Sequence, residues 1–140
     1  MTTVVVTGTG TEVGKTYVAA AALRALRTRG VPAHGRKPVQ SFAPGDPTTD
    51  AAELAAAGGE APETVCPPHR WLSIPMAPPM AAAALGLPSF TIADLVTEIA
   101  PGPGLALVEG AGGLRAPIAD DGDTLALIEA LRSEEHTSEL

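Results

Sequence analysis

Two short apolar runs frame the pattern of hydrophobic and polar positions along the chain. Residues 3–7 are mostly β-branched and show no polar alternation, which is typical of a strand buried on both faces of a parallel sheet. Residues 105–108, Leu-Ala-Leu-Val, have the same character. Between them, residues 14–29 carry alanines and leucines with arginines towards the end, which predicts a helix that Gly30 stops. Strands that alternate with helices predict an α/β fold with a parallel sheet.

The segments between these runs give a mixed pattern. Residues 33–39 predict a second strand that should end near Pro38, because proline has no backbone donor. Three further helices are predicted at residues 50–58, 80–85 and 91–99, the last one capped by Ser89 or Thr91. Two segments are predicted to lack regular structure, namely the Pro-, Gly- and Asp-rich residues 41–49 and the proline-dense residues 62–79.

The turn after the first strand is rich in glycine and threonine and ends in Gly14-Lys15-Thr16. Backbone N–H groups in such a turn, with the positive end of the following helix, bind the phosphates of a nucleoside triphosphate. Lys15 would reach the terminal phosphates, and the Thr16 hydroxyl would ligate Mg²⁺. The usual motif begins with glycine where this chain has Thr9, so the loop is a variant of the phosphate-binding loop.

Lysine is scarce, since only Lys15 and Lys37 are lysines among the nine basic residues. A planar guanidinium cannot replace a compact ammonium between phosphate oxygens, so both lysines are candidates for chemistry. Two ammonium groups 4 Å apart repel by about 4 kcal/mol at an effective dielectric of 20, so their approach requires anions between them. The alternative for Lys37 is an ordinary surface lysine at the end of a strand.

Acidic residues occur at two further points where the predicted elements begin or end. Glu109 follows the second apolar run and precedes Gly-Ala-Gly-Gly, and the carboxyl ends of parallel strands are where ligands bind. A carboxylate there could hold Mg²⁺ opposite Thr16, while the glycines allow close approach of a nucleotide. Asp50 begins a predicted helix after a loop that also holds Asp46. Either aspartate could cap that helix or ligate the metal, and the residues alone leave both interpretations open.

Composition narrows the classes of function. A net charge of −7 disfavours nonspecific nucleic-acid binding, which requires a basic surface. Cys66 is the only cysteine, so no disulfide can form within the chain, and a reducing compartment such as the cytoplasm is expected. No apolar run is long enough to cross a bilayer. His34 and His69 have no partners at metal-binding spacing and are expected to be structural or surface residues, and Cys66 is expected to be inert.

Residues 132–140 break from the alanine-rich style of the preceding chain. The nonapeptide Arg-Ser-Glu-Glu-His-Thr-Ser-Glu-Leu matches the codons AGA TCG GAA GAG CAC ACG TCT GAA CTC, which resemble a common sequencing adapter. We therefore expect residues 1–131 to be part of a longer domain and residues 132–140 to be a non-native tail.

The three motifs in this order resemble those of the ATP-dependent dethiobiotin synthetases, a family of the biotin pathway. These motifs are residues 7–16, the Lys-Pro-Val-Gln-Ser of residues 37–41 and the Val-Glu-Gly-Ala-Gly-Gly of residues 108–113. The resemblance extends to about Leu131. It implies a P-loop NTPase-like, doubly wound parallel sheet that is incomplete at its C-terminal side. It also implies a ligase that uses ATP, Mg²⁺ and CO₂ to close a ureido ring on 7,8-diaminononanoate through a phosphorylated carbamate.

The resemblance also implies roles for individual residues. Catalytic roles fall on Thr11, Lys15 and Lys37, and substrate contact on Ser41. Nucleotide contacts fall on Glu12, Val13, Gly14, Lys15, Thr16, Tyr17, Asp50, Glu109, Gly110, Ala111 and Gly112. Mg²⁺ would be held by Thr16, Asp50 and Glu109.

The chain departs from the family at two points. Phe42 stands where the family usually has glycine, and the family's later half, with the adenine pocket and much of the homodimer interface, has no counterpart here. Three alternatives therefore stay open: a related P-loop amide ligase, a non-catalytic ATP-dependent switch, and an inactive fragment.

Overall fold

In the computed structural model, residues 2–9 and 14–138 are described, with side chains described as far as Ser133. The strands are β1 (Thr3–Val6), β2 (Ala33–Arg36), β3 (Gln40–Ser41), β4 (Trp71–Leu72), β5 (Leu105–Glu109), β6 (Pro117–Ala119) and β7 (Gly122–Asp123). The α-helices are α1 (Lys15–Thr28), α2 (Asp50–Gly58), α3 (Pro62–Val65), α4 (Pro78–Ala84), α5 (Ile92–Glu98) and α6 (Thr124–Ser138), and a 3₁₀ turn covers Pro68–Arg70. Within the described residues, none of these helices is long and apolar enough to span a membrane.

The central sheet has the strand order β1-β5-β2, and both pairings are parallel. Val6 lies opposite Glu109, and Arg36 lies opposite Val108, so all three strands end at the same edge. The predicted α/β class with a parallel sheet is therefore confirmed. This register brings the segments that follow β1, β2 and β5 together, which is the arrangement that a ligand site at the strand ends requires.

Both faces of the sheet are covered, as a parallel sheet requires. Leu107 packs with Leu23 of α1 and Leu54 of α2, whereas the next residue, Val108, belongs to a second cluster on the other face. That second cluster also holds Leu95 of α5, together with residues of α4, β6 and α6. The two clusters pack against opposite faces of the middle strand, β5, and so hold the position of its carboxyl end.

Proline explains two differences from the predicted elements. The single strand predicted at residues 33–39 is split, because β2 ends before Pro38 and the chain resumes in β3, which pairs with β4 in a separate small sheet. Residues 62–79 were wrongly predicted to lack regular structure. Several prolines there occupy the first helical positions, namely Pro62, Pro68 and Pro78, where the missing N–H costs nothing.

The later helices follow the predicted pattern in part. Of the two caps that the sequence left open, Thr91 is the one that caps α5, through a capping box with Asp94. The elements β6, β7 and α6 were not predicted. Helix α6 continues without interruption past Leu131, the predicted boundary of the native sequence.

Gly35 lies where β2 meets α1 and α2, and it offers a test of this packing. An added Cβ would lie 2.9 Å from Leu23 Cδ1 and 3.4 Å from Leu54 Cβ, two side chains that are fully buried. We expect Gly35→Ala to lower the free energy of unfolding by about 1–3 kcal/mol, the usual cost of overpacking. Urea unfolding measures the effect.

Gly45→Ala is the matched control, because nothing lies within 4 Å of its added Cβ. It should leave the stability unchanged or raise it by up to about 1 kcal/mol through the unfolded state. Equal stability of the two alanine variants would contradict the packing described for Gly35.

Candidate active site

The carboxyl edge of the sheet brings the phosphate-binding loop against the acidic end of β5. Gly14 adopts the left-handed conformation with φ of 84°, which glycine tolerates without strain, and α1 begins at Lys15. The hydroxyl of Thr16 donates a hydrogen bond of 2.6 Å to Glu109 Oε1. The loop and the strand end that the sequence predicted to meet are therefore in direct contact.

Lys37 follows β2 and is buried at the centre of this edge, with 3% of its side chain exposed. Its Nζ donates to the Gly110 carbonyl at 2.9 Å and pairs with Asp50 Oδ2 at 3.0 Å and Glu109 Oε1 at 3.5 Å. The alternative of an ordinary surface lysine is therefore wrong. Two of the anions that neighbouring lysines require are therefore present, as the carboxylates of Asp50 and Glu109.

Asp50 reaches this cluster from the start of α2. The cap of the helix is Thr49, whose hydroxyl accepts a hydrogen bond from the Ala52 N–H, so the capping role considered for Asp50 is wrong. Asp46 does not cap the helix either, because its carboxylate accepts from the Ala43 N–H within the preceding loop. The Asp50 carboxylate is instead free to face Lys37 and remains 45% exposed.

Burial perturbs the charged groups of the site in both directions. Burial raises the pKa of Glu109, and the nearby Lys37 ammonium only partly opposes this shift. The pKa of Lys15 is lowered, first by burial and then by repulsion from Lys37. A further cation beside Glu109 and a further anion beside Lys15 would both relieve these costs, which is the charge pattern of a metal–phosphate complex.

The oxygens of Thr16, Asp50 and Glu109 fit a hard divalent cation such as Mg²⁺. Glu109 Oε2 is buried and has no hydrogen-bond partner among the described residues, so one carboxylate oxygen remains to be satisfied. The site offers two carboxylates and one hydroxyl. In residues 2–9 and 14–138, no cluster of three or more His, Cys, Asp or Glu side chains is suited to hold a metal. Such a sparse set suits Mg²⁺, which keeps water and substrate phosphates among its ligands.

A cavity of about 740 Å³ opens beside these groups. Its lining includes ten of the predicted site residues, namely Gly14, Lys15, Thr16, Tyr17, Lys37, Ser41, Asp50, Glu109, Ala111 and Gly112. Of these, Ser41 has a buried Oγ without a hydrogen-bond partner in the described part of the chain. Gly110 does not line the cavity. It packs against Thr124, whose Oγ1 would lie 2.7 Å from an added Cβ.

The predicted residues Thr11, Glu12 and Val13 lie outside the described residues. The sequence analysis did not place Met76 in the site, yet with Phe42 it forms part of an apolar wall of the cavity. The only signal for this wall was an excess of apolar residues in proline-rich loops.

The residues expected to be structural or inert are so. His34 is buried, and its Nδ1 lies 2.8 Å from the Pro103 carbonyl. Burial raises the pKa of the Cys66 thiol to about 12, so the thiolate is absent at neutral pH.

A family model described as an AAA domain matches residues 2–134. The chain belongs to this AAA domain family. The match supports the P-loop NTPase-like fold that the motifs predicted, because the matched region contains the loop, the central sheet and Glu109.

Curated relatives of this AAA domain carry the name ATP-dependent dethiobiotin synthetase BioD. The Methylobacterium nodulans protein is 47% identical over 146 residues, and the alignment covers 94% of this chain and 64% of the relative. The Caulobacter vibrioides protein is 42% identical with 94% and 63% coverage, and the Rhodococcus jostii protein is 42% identical with 89% and 54% coverage. The similarity to dethiobiotin synthetases that the motifs predicted is confirmed. The chain spans less than two thirds of the length of these relatives.

The raised pKa of Glu109 predicts a pH dependence of stability. The folded state holds the Glu109 proton more tightly than the unfolded state, so this group's contribution to stability falls as pH rises from 4.5 through the raised pKa. Without divalent cations, we expect the wild type to lose stability relative to Glu109→Gln across that window. Urea unfolding at a series of pH values measures the difference. A difference that is constant with pH, or that grows in favour of the wild type as pH rises, would contradict the shift.

Proposed function

We propose that the protein carrying this chain is an ATP-dependent ligase that converts 7,8-diaminononanoate and CO₂ to dethiobiotin, with ADP and phosphate as the other products. The observation that carries the proposal is the buried contact of Lys37 with Glu109, joined by Thr16 of the phosphate-binding loop. Similarity to proteins named dethiobiotin synthetase supplies the substrate class.

The charged groups of the edge take distinct roles in the proposal. Lys15 and Lys37 neutralise the charge of the phosphoryl group during its transfer. Thr11 takes part in the same catalytic step, as the family resemblance implies. In this proposal, contacts to the nucleotide fall on Glu12, Val13, Gly14, Tyr17 and the glycine-rich turn after Glu109. Thr16, Asp50 and Glu109 would hold Mg²⁺, which neutralises charge on the phosphate oxygens when it is bound. Phosphoryl transfer requires mainly such positioning and charge stabilisation, so no further nucleophilic side chain is needed.

The proposed reaction has three steps. One amine of the substrate adds to CO₂ and loses a proton, which gives a carbamate. A carbamate oxygen then attacks the γ-phosphorus, ADP leaves, and a carbamic-phosphoric anhydride forms. The second amine then attacks the carbonyl carbon and loses a proton, the ring closes, and phosphate leaves with the carbamate oxygen that had attacked the phosphorus. Lys37 is suited to the second step, because it lies at the junction of the two carboxylates and the cavity.

The wall of the cavity near Lys37 supports an amphipathic substrate. The buried Ser41 hydroxyl has no hydrogen-bond partner among the described residues and can meet a polar group. Phe42 and Met76 offer apolar surface beside it, which suits a hydrocarbon chain. In this wall a phenylalanine at position 42 takes up more space than the glycine usual in the family would. A homodimer in the cytoplasm completes the proposal, in keeping with the family resemblance and the single buried cysteine.

Replacing Lys37 tests the proposal. In the protein expressed with its full reading frame, Lys37→Ala should lower kcat for dethiobiotin formation by about 10²–10³, the usual loss for one charge-stabilising group. The assay supplies diaminononanoate, bicarbonate and Mg·ATP, and measures dethiobiotin and ADP. Arg24→Ala removes an exposed cation of α1 that does not line the cavity, and it is the control that should leave kcat unchanged.

Two results would contradict the proposal. Release of ADP at the same rate without the diamine would favour a related amide ligase acting on another substrate. Slow ATP turnover that is unchanged by Lys37→Ala would favour a nucleotide switch.

A further inference from the structure

Gln40 is a buried polar residue that neither lines the cavity nor belongs to the predicted site. It begins β3, three residues after Lys37, and only 2% of it is exposed. Its side-chain Oε1 accepts a hydrogen bond of 3.0 Å from the N–H of Ala51, and this bond is buried. Ala51 directly follows Asp50 in α2. Gln40 therefore holds the backbone beside the one site carboxylate that is carried by a helix.

The first turn of a helix has N–H groups without partners inside the helix, and α2 satisfies them from two sources. Thr49 is the local cap, since its hydroxyl accepts from Ala52 N–H at 3.2 Å and its carbonyl accepts from Glu53 N–H at 3.1 Å. Gln40, which lies in β3 and not in the helix, accepts a hydrogen bond from the Ala51 N–H. The Thr49 bonds stabilise the turn itself, whereas the Gln40 bond fixes where the turn lies relative to β3.

That position matters because Asp50 must meet Lys37. The Lys37 backbone N–H donates to the Val65 carbonyl at 2.9 Å, and the ammonium is buried, so this partner is fixed. Asp50 is 45% exposed and would be mobile if the start of α2 could shift. Gln40 and Lys37 thus act from one short segment, with Gln40 on the backbone beside Asp50 and Lys37 on its carboxylate.

The amide nitrogen of Gln40 shows that a glutamine at this position lowers the stability of the fold. Nε2 is buried and has no hydrogen-bond partner among the described residues. A buried donor without a partner destabilises the fold, and an apolar side chain of similar size would avoid that cost. The oxygen of Gln40 is therefore the useful half of the group, and its one observed bond goes to Ala51.

We propose that Gln40 is a positioning residue that sets Asp50 for binding of Mg²⁺ with ATP. The inference rests on the proposed function, because it takes Asp50 as a metal ligand. Loss of groups that orient metal ligands typically weakens metal affinity about 10–100-fold.

The test uses the protein with its full reading frame. It measures the affinity of a non-hydrolysable ATP analogue, once in the presence of Mg²⁺ and once in the presence of EDTA. Gln40→Met should weaken binding with Mg²⁺ by about 10-fold and leave binding in EDTA within about twofold, since only the metal-dependent part involves Asp50. Thr49→Ala is the matched control on the same helix. It should lower the melting temperature, yet change Mg²⁺-dependent affinity by less than about twofold, since it removes a cap and not the link to β3.

A double-mutant cycle separates positioning from general stability. If Gln40 acts through Asp50, Gln40→Met added to Asp50→Asn should weaken binding no further than Asp50→Asn alone. An equal loss from Gln40→Met in both backgrounds, or equal losses from the Gln40 and Thr49 variants, would overturn the inference. Should Gln40→Met not fold, Gln40→Glu keeps an acceptor oxygen, and a folded Gln40→Glu protein as weak as Asp50→Asn would overturn it as well.

Failure of the proposed function gives a different result. In that case the wild type would bind the analogue no more tightly with Mg²⁺ than with EDTA, or Asp50→Asn would bind as the wild type does. If Asp50→Asn is weakened and Gln40→Met is not, the proposed role of Asp50 as a metal ligand stands and the role of Gln40 is wrong.

Discussion

The buried ion pair between Lys37 and Glu109 is the interaction on which the site depends. Each partner has lost nearly all of its hydration, and isolated charges at such depth would be prohibitively costly. The pair is sustained by the Thr16 hydroxyl, the Gly110 carbonyl and the Asp50 carboxylate. Together with Lys37 and Glu109, these partners come from four segments, namely the ends of β2 and β5 and the first turns of α1 and α2. The pair can therefore form only when the sheet, α1 and α2 are all in place.

The pair is also incompletely satisfied, and this is what makes it useful. The pKa of Glu109 stays raised despite Lys37, and one of its oxygens has no hydrogen-bond partner in the described part of the chain. The pKa of Lys15 is lowered by burial and by the nearby Lys37, so its charged form is disfavoured. A divalent cation and a phosphate chain together would supply the missing charges. The same forces that strain the protein alone would thus favour the complex that the proposed reaction requires.

Much of this edge could be predicted from sequence because it follows from local motifs and one topological rule. Gly14-Lys15-Thr16 opens a helix after a strand, and parallel strands end together, so Thr16 and Glu109 were expected to face each other. Asp50 stayed ambiguous, because the choice between a cap and a ligand depends on whether Thr49 or Asp50 is the last residue before the helix begins. Gln40 and the wall of Phe42 and Met76 could not be found, since their contacts join loops and strands that no periodicity relates.

The central claim is that a substrate oxygen, and not water, receives the phosphoryl group at this edge. The most direct measurement uses ¹⁸O-labelled CO₂ in unlabelled water, with diaminononanoate and Mg·ATP, in the protein with its full reading frame. The phosphate is analysed within one turnover, before CO₂ exchanges its oxygens with water. The account predicts one labelled oxygen in each phosphate released. Unlabelled phosphate would mean that water attacks ATP, and it would contradict the account.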